Sequence, residues 1–170
     1  MMYTLEELES RHRVSFLVML SDYAAEDPST LKALYPGDWH ELQFLKFIKE
    51  CERERMDWRP KAGEISVTRY VLTSSDGAIC GNGLLRFPLT EELESSGGNL
   101  VFDVPPSKRR EGFGALVLNR MLFEAVRAGL ARVLVVCAAD NPGARKVIEK
   151  NRGLLESDSG GLLRYWLNLR

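Results

Sequence analysis

Val104-Pro105-Pro106-Ser107-Lys108-Arg109-Arg110-Glu111-Gly112-Phe113-Gly114 joins a short extended run, Leu100 to Val104, to a segment of helical periodicity, Gly112 to Ala128. The proline pair stops the strand. The first N–H groups of the helix that follows have no intrahelical acceptor and carry partial positive charge. Gly112 and Gly114 remove the side chains that would hold a ligand off the backbone, and Lys108, Arg109 and Arg110 add charge beside it. The run therefore suits a phosphate or pyrophosphate. A surface loop with a routine helix cap fits the same residues equally well. The run is neither G-x-x-x-x-G-K-S/T nor G-x-G-x-x-G. Gly81-Asn82-Gly83 begins the latter but lacks its third glycine and lies in a strand-like run.

Downstream of this loop, Val133 to Ala138 is an uninterrupted apolar run, as in a strand covered on both faces. Asn141-Pro142 gives an N-cap and a first-turn proline, and the helix it opens ends near Gly153. Leu154 to Ser157 and Leu162 to Leu169 predict two final strands around the turn Asp158 to Gly161. Gly129 ends the preceding helix as its C′ residue.

Upstream, Ile65 to Thr73 and Ala78 to Phe87 flank Ser75-Asp76-Gly77 and predict a hairpin, and Thr90 to Asn99 predicts an exposed loop. Thr4 with Glu7 has the form of a capping box, predicting a helix to about Ala24 with Leu5, Leu8, Val14, Leu17, Val18 and Leu20 apolar. Asp27 to Gly37 predicts a connector. Asp38 with Glu41 repeats the capping signature before a helix carrying Leu42, Leu45, Ile48 and Cys51, with Pro60 and Gly63 at its exit. The order is two helices, three strands, helix, strand, helix, two strands. This is an α/β chain of the α+β type, with a mixed sheet. No repeat or domain boundary interrupts it. A single domain is expected over 1–170, with a helical N-terminal part (1–60) and a core (61–170).

The totals restrict function. The 170 residues carry a net charge of −1, so no sequence-wide basic field favours nucleic acid or an anionic membrane. No apolar run is long enough to span a bilayer, and the polar, acidic start Met1 to Ser10 does not read as a signal peptide. Cys51, Cys80 and Cys137 are odd in number and widely spaced, as expected of free thiols in the cytoplasm. No His/Cys/Asp/Glu cluster suggests a metal, and no G-x-S-x-G suggests a serine hydrolase.

Arg109-Arg110-Glu111-Gly112-Phe113-Gly114 resembles the Q/R-x-x-G-x-G/A signature of the GNAT acetyltransferases, in the strand–loop–helix setting that family uses. Residues 60 to 170 are similar to a bacterial branch of predicted acetyltransferases. The shared features are the Gly97-Gly98 pair, Val104 to Gly112, Asp140-Asn141 leading to Ile148-Glu149-Lys150-Asn151, and Arg164-Tyr165-Trp166. The resemblance implies a GNAT-like, mostly antiparallel central sheet flanked by helices, and acetyl-CoA as acyl donor to a primary amine. Backbone at Phe102 and Val104 would pair with the pantetheine arm. Amides of Arg109, Arg110, Gly112, Phe113 and Gly114 would hold the pyrophosphate, and Asn141 would contact the pantetheine or its cysteamine end. The expected partners are acetyl-CoA and an amine-bearing acceptor, with no nucleic acid and no membrane, in a monomer or homodimer.

For the reaction, the Val104 N–H is the implied oxyanion donor. Two positions depart from the family. Ile148 stands where many GNATs carry a tyrosine acid, and Asn99 where the matched branch carries histidine. An amide can orient a water but cannot act as a base near neutrality. Asp103 and Asn99 are thus the catalytic candidates, and Glu91, Glu92 and Glu94 are further carboxylates near the expected acceptor channel. The two departures leave open an acyl-CoA-binding module of the same fold with little turnover.

Overall fold

A computed structural model describes residues 2–55 and 63–169. Strands β1 (Tyr3–Glu7), β2 (Ser66–Ser74), β3 (Ile79–Phe87) and β4 (Leu100–Asp103) form one antiparallel sheet in that order. Strands β5 (Arg132–Ala138), β6 (Leu154–Ser159) and β7 (Leu162–Asn168) form a second, in the order β5-β7-β6. Helix α4 (Phe113–Arg127) connects the two sheets, and α5 (Pro142–Lys150) connects β5 to β6. Helices α1 (Arg13–Glu26), α2 (Pro28–Leu34) and α3 (Glu41–Glu54) cover the opposite face of the first sheet from α4. The α+β class and the flanking helices are as the sequence predicts.

Strand alternation divides the core in two. One face of the first sheet, with Leu72, Leu85 and Leu100, packs with Val117, Leu118 and Met121 of α4 and with β5 and β7. The other face presents Val71 to Phe16, Leu20, Tyr23, Phe44 and Ile48 of α1 and α3. Gly83 faces Met121 so closely that a Cβ there would overlap the thioether. That approach explains a glycine inside β3 and disposes of the dinucleotide-motif reading of Gly81 and Gly83.

The N-terminal third differs from its sequence reading. Residues Tyr3–Glu7 are not the first turns of a helix; they pair with β2 from Tyr3↔Ser74 to Glu7↔Tyr70. Tyr3 and Leu5 pack on the core from an edge strand, which outweighs the local capping signature. Helix α1 starts only at Arg13, behind a turn in which His12 Nδ1 accepts from the Glu9 N–H at 3.0 Å. Its buried face is Phe16, Met19, Leu20 and Tyr23, while Val14 and Val18 are exposed. The connector Asp27 to Gly37 contains α2, capped by Asp27 and started by Pro28. Asp38 caps nothing; the N-cap of α3 is His40, and Phe44, Ile48 and Cys51 are buried, not Leu42 or Leu45. The loop Thr90 to Asn99 holds a π-helical turn, Leu93–Gly97, with Leu93 buried. The hairpin, α4, β5, α5 and the last two strands fall where expected, and Gly129 at φ 78 ends α4. Pro60 lies outside the described residues.

Candidate active site

The two sheets meet at one point and part beyond it. At that vertex the Asn99 N–H donates to Leu134 O at 2.8 Å, and the Leu134 N–H donates to Asn99 Oδ1 at 3.0 Å. Asn99 Nδ2 donates to Arg86 O at 3.1 Å, so the buried amide ties β3, β4 and β5 together. Gly98 precedes it at φ 70, where a Cβ would lie 2.5 Å from Leu134 O. Arg86 Nε donates to Gly98 O at 2.9 Å. The Gly97-Gly98 pair thus marks the point at which one strand backbone crosses against another.

From Leu100 onward, β4 pairs only with β3 among the described residues, and its far edge is open. Unpaired strand groups are a template for an extended ligand. The expected pantetheine positions, Phe102 and Val104, lie on this edge. Next comes the loop, in which Lys108 and Arg109 N–H groups turn back onto Pro105 and Pro106 carbonyls. No described protein acceptor takes the N–H groups of Arg110, Gly112, Phe113 or Gly114, and Arg110 (φ 67) and Gly112 (φ 89) hold left-handed backbone. The space above Gly112 is open. This is anion-binding geometry: left-handed turns feeding the positive end of a 15-residue helix.

Arg109 points elsewhere. Its Nε donates to Val104 O at 3.0 Å and its terminal nitrogen to Asp27 Oδ2 at 2.8 Å, which ties the loop to the start of α2. The Arg109 guanidinium, with hydrogen bonds from Thr30 and Ser29, holds the Asp27 carboxyl down at about 2. Asn141 is the N-cap of α5, its Oδ1 accepting from the Ala144 N–H at 2.9 Å.

Asp103 ends β4 on the α1 side. Tyr23, 1 of the buried residues of α1, donates its hydroxyl to Asp103 Oδ2. Burial raises the Asp103 carboxyl to about 6, against a backbone hydrogen bond from Val104 and the charge of Arg109, which both lower it. Asp103 is therefore ionised at neutrality yet basic enough to take a proton. The Val104 N–H, the expected oxyanion donor, leans on this same carboxylate. Directly across from Asp103 in register is Asn82 of β3. Both lie on the wall of a cleft of about 110 Å³ between the sheet and α1–α2, which Phe16, Tyr35 and Arg69 also line.

Ile148, the family's acid position, is fully buried in the core. The Tyr165 hydroxyl donates to Glu149 Oε1 at 3.1 Å. Glu91, Glu92 and Glu94 are exposed and do not line the cleft. The start of α4 lies against the end of β4 and against α5: a Cβ on Gly114 would meet Val104, Phe102 and Val147 within 3.8 Å. Sequence reading missed Tyr23 and Asn82. The spacing of Phe16, Met19, Leu20 and Tyr23 marks an inward face, but nothing local pairs Tyr23 with a residue 80 positions away.

No protein-family model matches the sequence, and neither does any curated protein sequence. Solved structures do match in shape. An N-acetyltransferase from Staphylococcus aureus Mu50 is 15% identical with a TM-score of 0.67, each chain covered over 100% of its length. The spermidine/spermine N-acetyltransferase SpeG from Vibrio cholerae is 15% identical with a TM-score of 0.63, over 99% of this chain and 95% of that one. YncA from Salmonella typhimurium, a candidate acetyltransferase solved with its cofactor acetyl-CoA, is 12% identical with a TM-score of 0.64, over 99% and 94%. The chain has the fold of the GNAT-type N-acetyltransferases, as its sequence resemblance implies.

Proposed function

We propose that the chain is an acetyl-CoA-dependent N-acetyltransferase that acts on a primary amine of a small molecule or peptide by direct attack. The observation that carries this reading is the open β4 edge running into unpaired amides at the start of α4. An extended arm and a pyrophosphate would fit that continuous surface, with Asn141 on its far bank. The acetyl group would then lie beside Val104 and Asp103.

The amine nitrogen attacks the thioester carbonyl, forming the C–N bond. The C–S bond breaks and the sulfur leaves as thiolate. With Ile148 buried, the leaving sulfur has no acid at that position and needs none. A thiol of pKa about 8.5 departs as thiolate and takes its proton from solvent. The amine proton passes to Asp103, directly or through a water. The Val104 N–H serves the oxyanion by leaving the Asp103 carboxylate on which it leans in the free chain, and Asn99 positions β4 instead of ordering a catalytic water. The alternative, an acyl-CoA-binding module without turnover, is favoured by Ile148 and by the engagement of the Asn99 amide in the sheet. Titration calorimetry with acetyl-CoA, beside thiol-detected CoA release over an amine panel, separates the two. Binding with amine-dependent release supports the enzyme; binding with no release supports the module; no binding removes both.

A further inference from the structure

Asn82 is 8% exposed, and neither its Oδ1 nor its Nδ2 has a hydrogen-bond partner. A buried amide left open at both ends costs the fold free energy, and native proteins rarely keep one without a use. Asn82 lines the cleft beside α1–α2, directly across from Asp103. The rest of the cleft is mainly apolar and aromatic, with Phe16 and Tyr35 edge to face at 5.4 Å. Asp103 is the one carboxylate among its described lining residues, and Arg69 the one cation, stacked over Phe47 and paired with Glu54.

We infer that this cleft takes the acyl acceptor, and that Asn82 makes it selective for a compact α-amino amide, an amino-acid derivative with a branched apolar side chain. The inference rests on the acetyl-transfer reading above. Nδ2 offers a donor to the carbonyl oxygen of such a ligand, and Oδ1 an acceptor for its amide N–H. The amine then reaches Asp103, and the apolar side chain meets Phe16 and Tyr35. The mainly apolar lining and the Arg69 guanidinium disfavour a long polycation. Basicity agrees: a carboxylate near 6 can deprotonate an α-ammonium of about 7.7–8.0 a few hundred-fold more readily than a lysine-like ammonium of about 10.4.

The test uses leucinamide, isoamylamine (the same body without the carboxamide) and spermidine, with kcat/KM on a free-amine basis. Wild type should prefer leucinamide over isoamylamine by at least ~30-fold, because a site with unpaired polar groups discriminates strongly against a ligand that leaves them unpaired. Asn82→Leu should cut that ratio at least ~10-fold, leave acetyl-CoA affinity unchanged by calorimetry, and raise the melting temperature by removing the orphan amide. If the leucine variant does not fold, Asn82→Ala carries the same ratio test. An unchanged ratio in the variant, a wild-type preference for spermidine, or acetyl-CoA binding without release with any of the three amines overturns the inference. Failure of wild type to bind acetyl-CoA at all would instead strike the parent reading.

Discussion

Asp103 carries two consequences that point in opposite directions. Its carboxyl titrates near 6 where an unfolded aspartate titrates near 3.8, so the folded state holds its proton more tightly. Below the unfolded value both states are protonated and nothing is lost. As pH rises through this window the unfolded chain releases its proton first, and the folded state loses stability until its own carboxyl has ionised. Asp103→Asn should therefore raise the melting temperature more at pH 7.5 than at pH 4, while lowering kcat at least ~10-fold. Scanning calorimetry at both pH values, with a CoA-release assay, checks the pair. Tyr23 donates to this carboxylate and favours its charged form. Tyr23→Phe should move the acidic limb of the kcat/KM profile upward by about one to two pH units, since a hydrogen bond to a charged group contributes about 1.5–3 kcal/mol. The groups facing Asp103 that enter this profile are Tyr23 from α1, Tyr35 beyond α2, Arg69 from β2 and Arg109 from the loop. A limb that stays in place in Tyr23→Phe would assign it to another of them.

At the scale of elements, the vertex and the cradle were legible in sequence to different degrees. The cradle reads directly: prolines end β4, basic residues follow, and Gly112 and Gly114 open α4. Gly112→Asp places a β-carbon at φ 89 and a negative charge among unpaired amides, so acetyl-CoA affinity should fall at least ~10-fold. The strain should cost the fold about 1 kcal/mol, leaving it cooperative in thermal melting. Gly98 was visible as half of a glycine pair, but its reason lay in a strand that follows more than thirty positions later. Gly98→Ala should cost about 1–3 kcal/mol from φ alone, and more because its Cβ meets Leu134 O at 2.5 Å. Thermal denaturation reads that loss. In sequence Asn99 offers only an amide able to orient a water; its place against Leu134 and Arg86 is a long-range fact that no local pattern contains.

Across the whole molecule, the chain from β2 onward followed its periodicities because its elements are bounded by strong turn chemistry: Ser75 to Gly77, Gly129, Asn141-Pro142 and Asp158 to Gly161. The first fifty residues did not. Tyr3–Glu7 has the composition of either element, and only the β2 edge decides it. That edge sets the entry to α1, and α1 in turn sets Tyr23, Phe16 and the wall of the cleft. The acceptor side of the site was therefore the less legible side. A fold of two antiparallel sheets opened at one vertex predicts that a ligand bridging the opening stabilises the chain as a unit. Acetyl-CoA at about 100 times its Kd should add about 2.7 kcal/mol to unfolding. The measurement that bears most directly on acetyl transfer is free CoA thiol released from acetyl-CoA over α-amino amides, alkylamines and polyamines, compared between wild type and Asp103→Asn. The predicted result is amine-dependent release, one acetylated amine per CoA, reduced at least ~10-fold in the variant. Saturable acetyl-CoA binding with no release for any amine would contradict it.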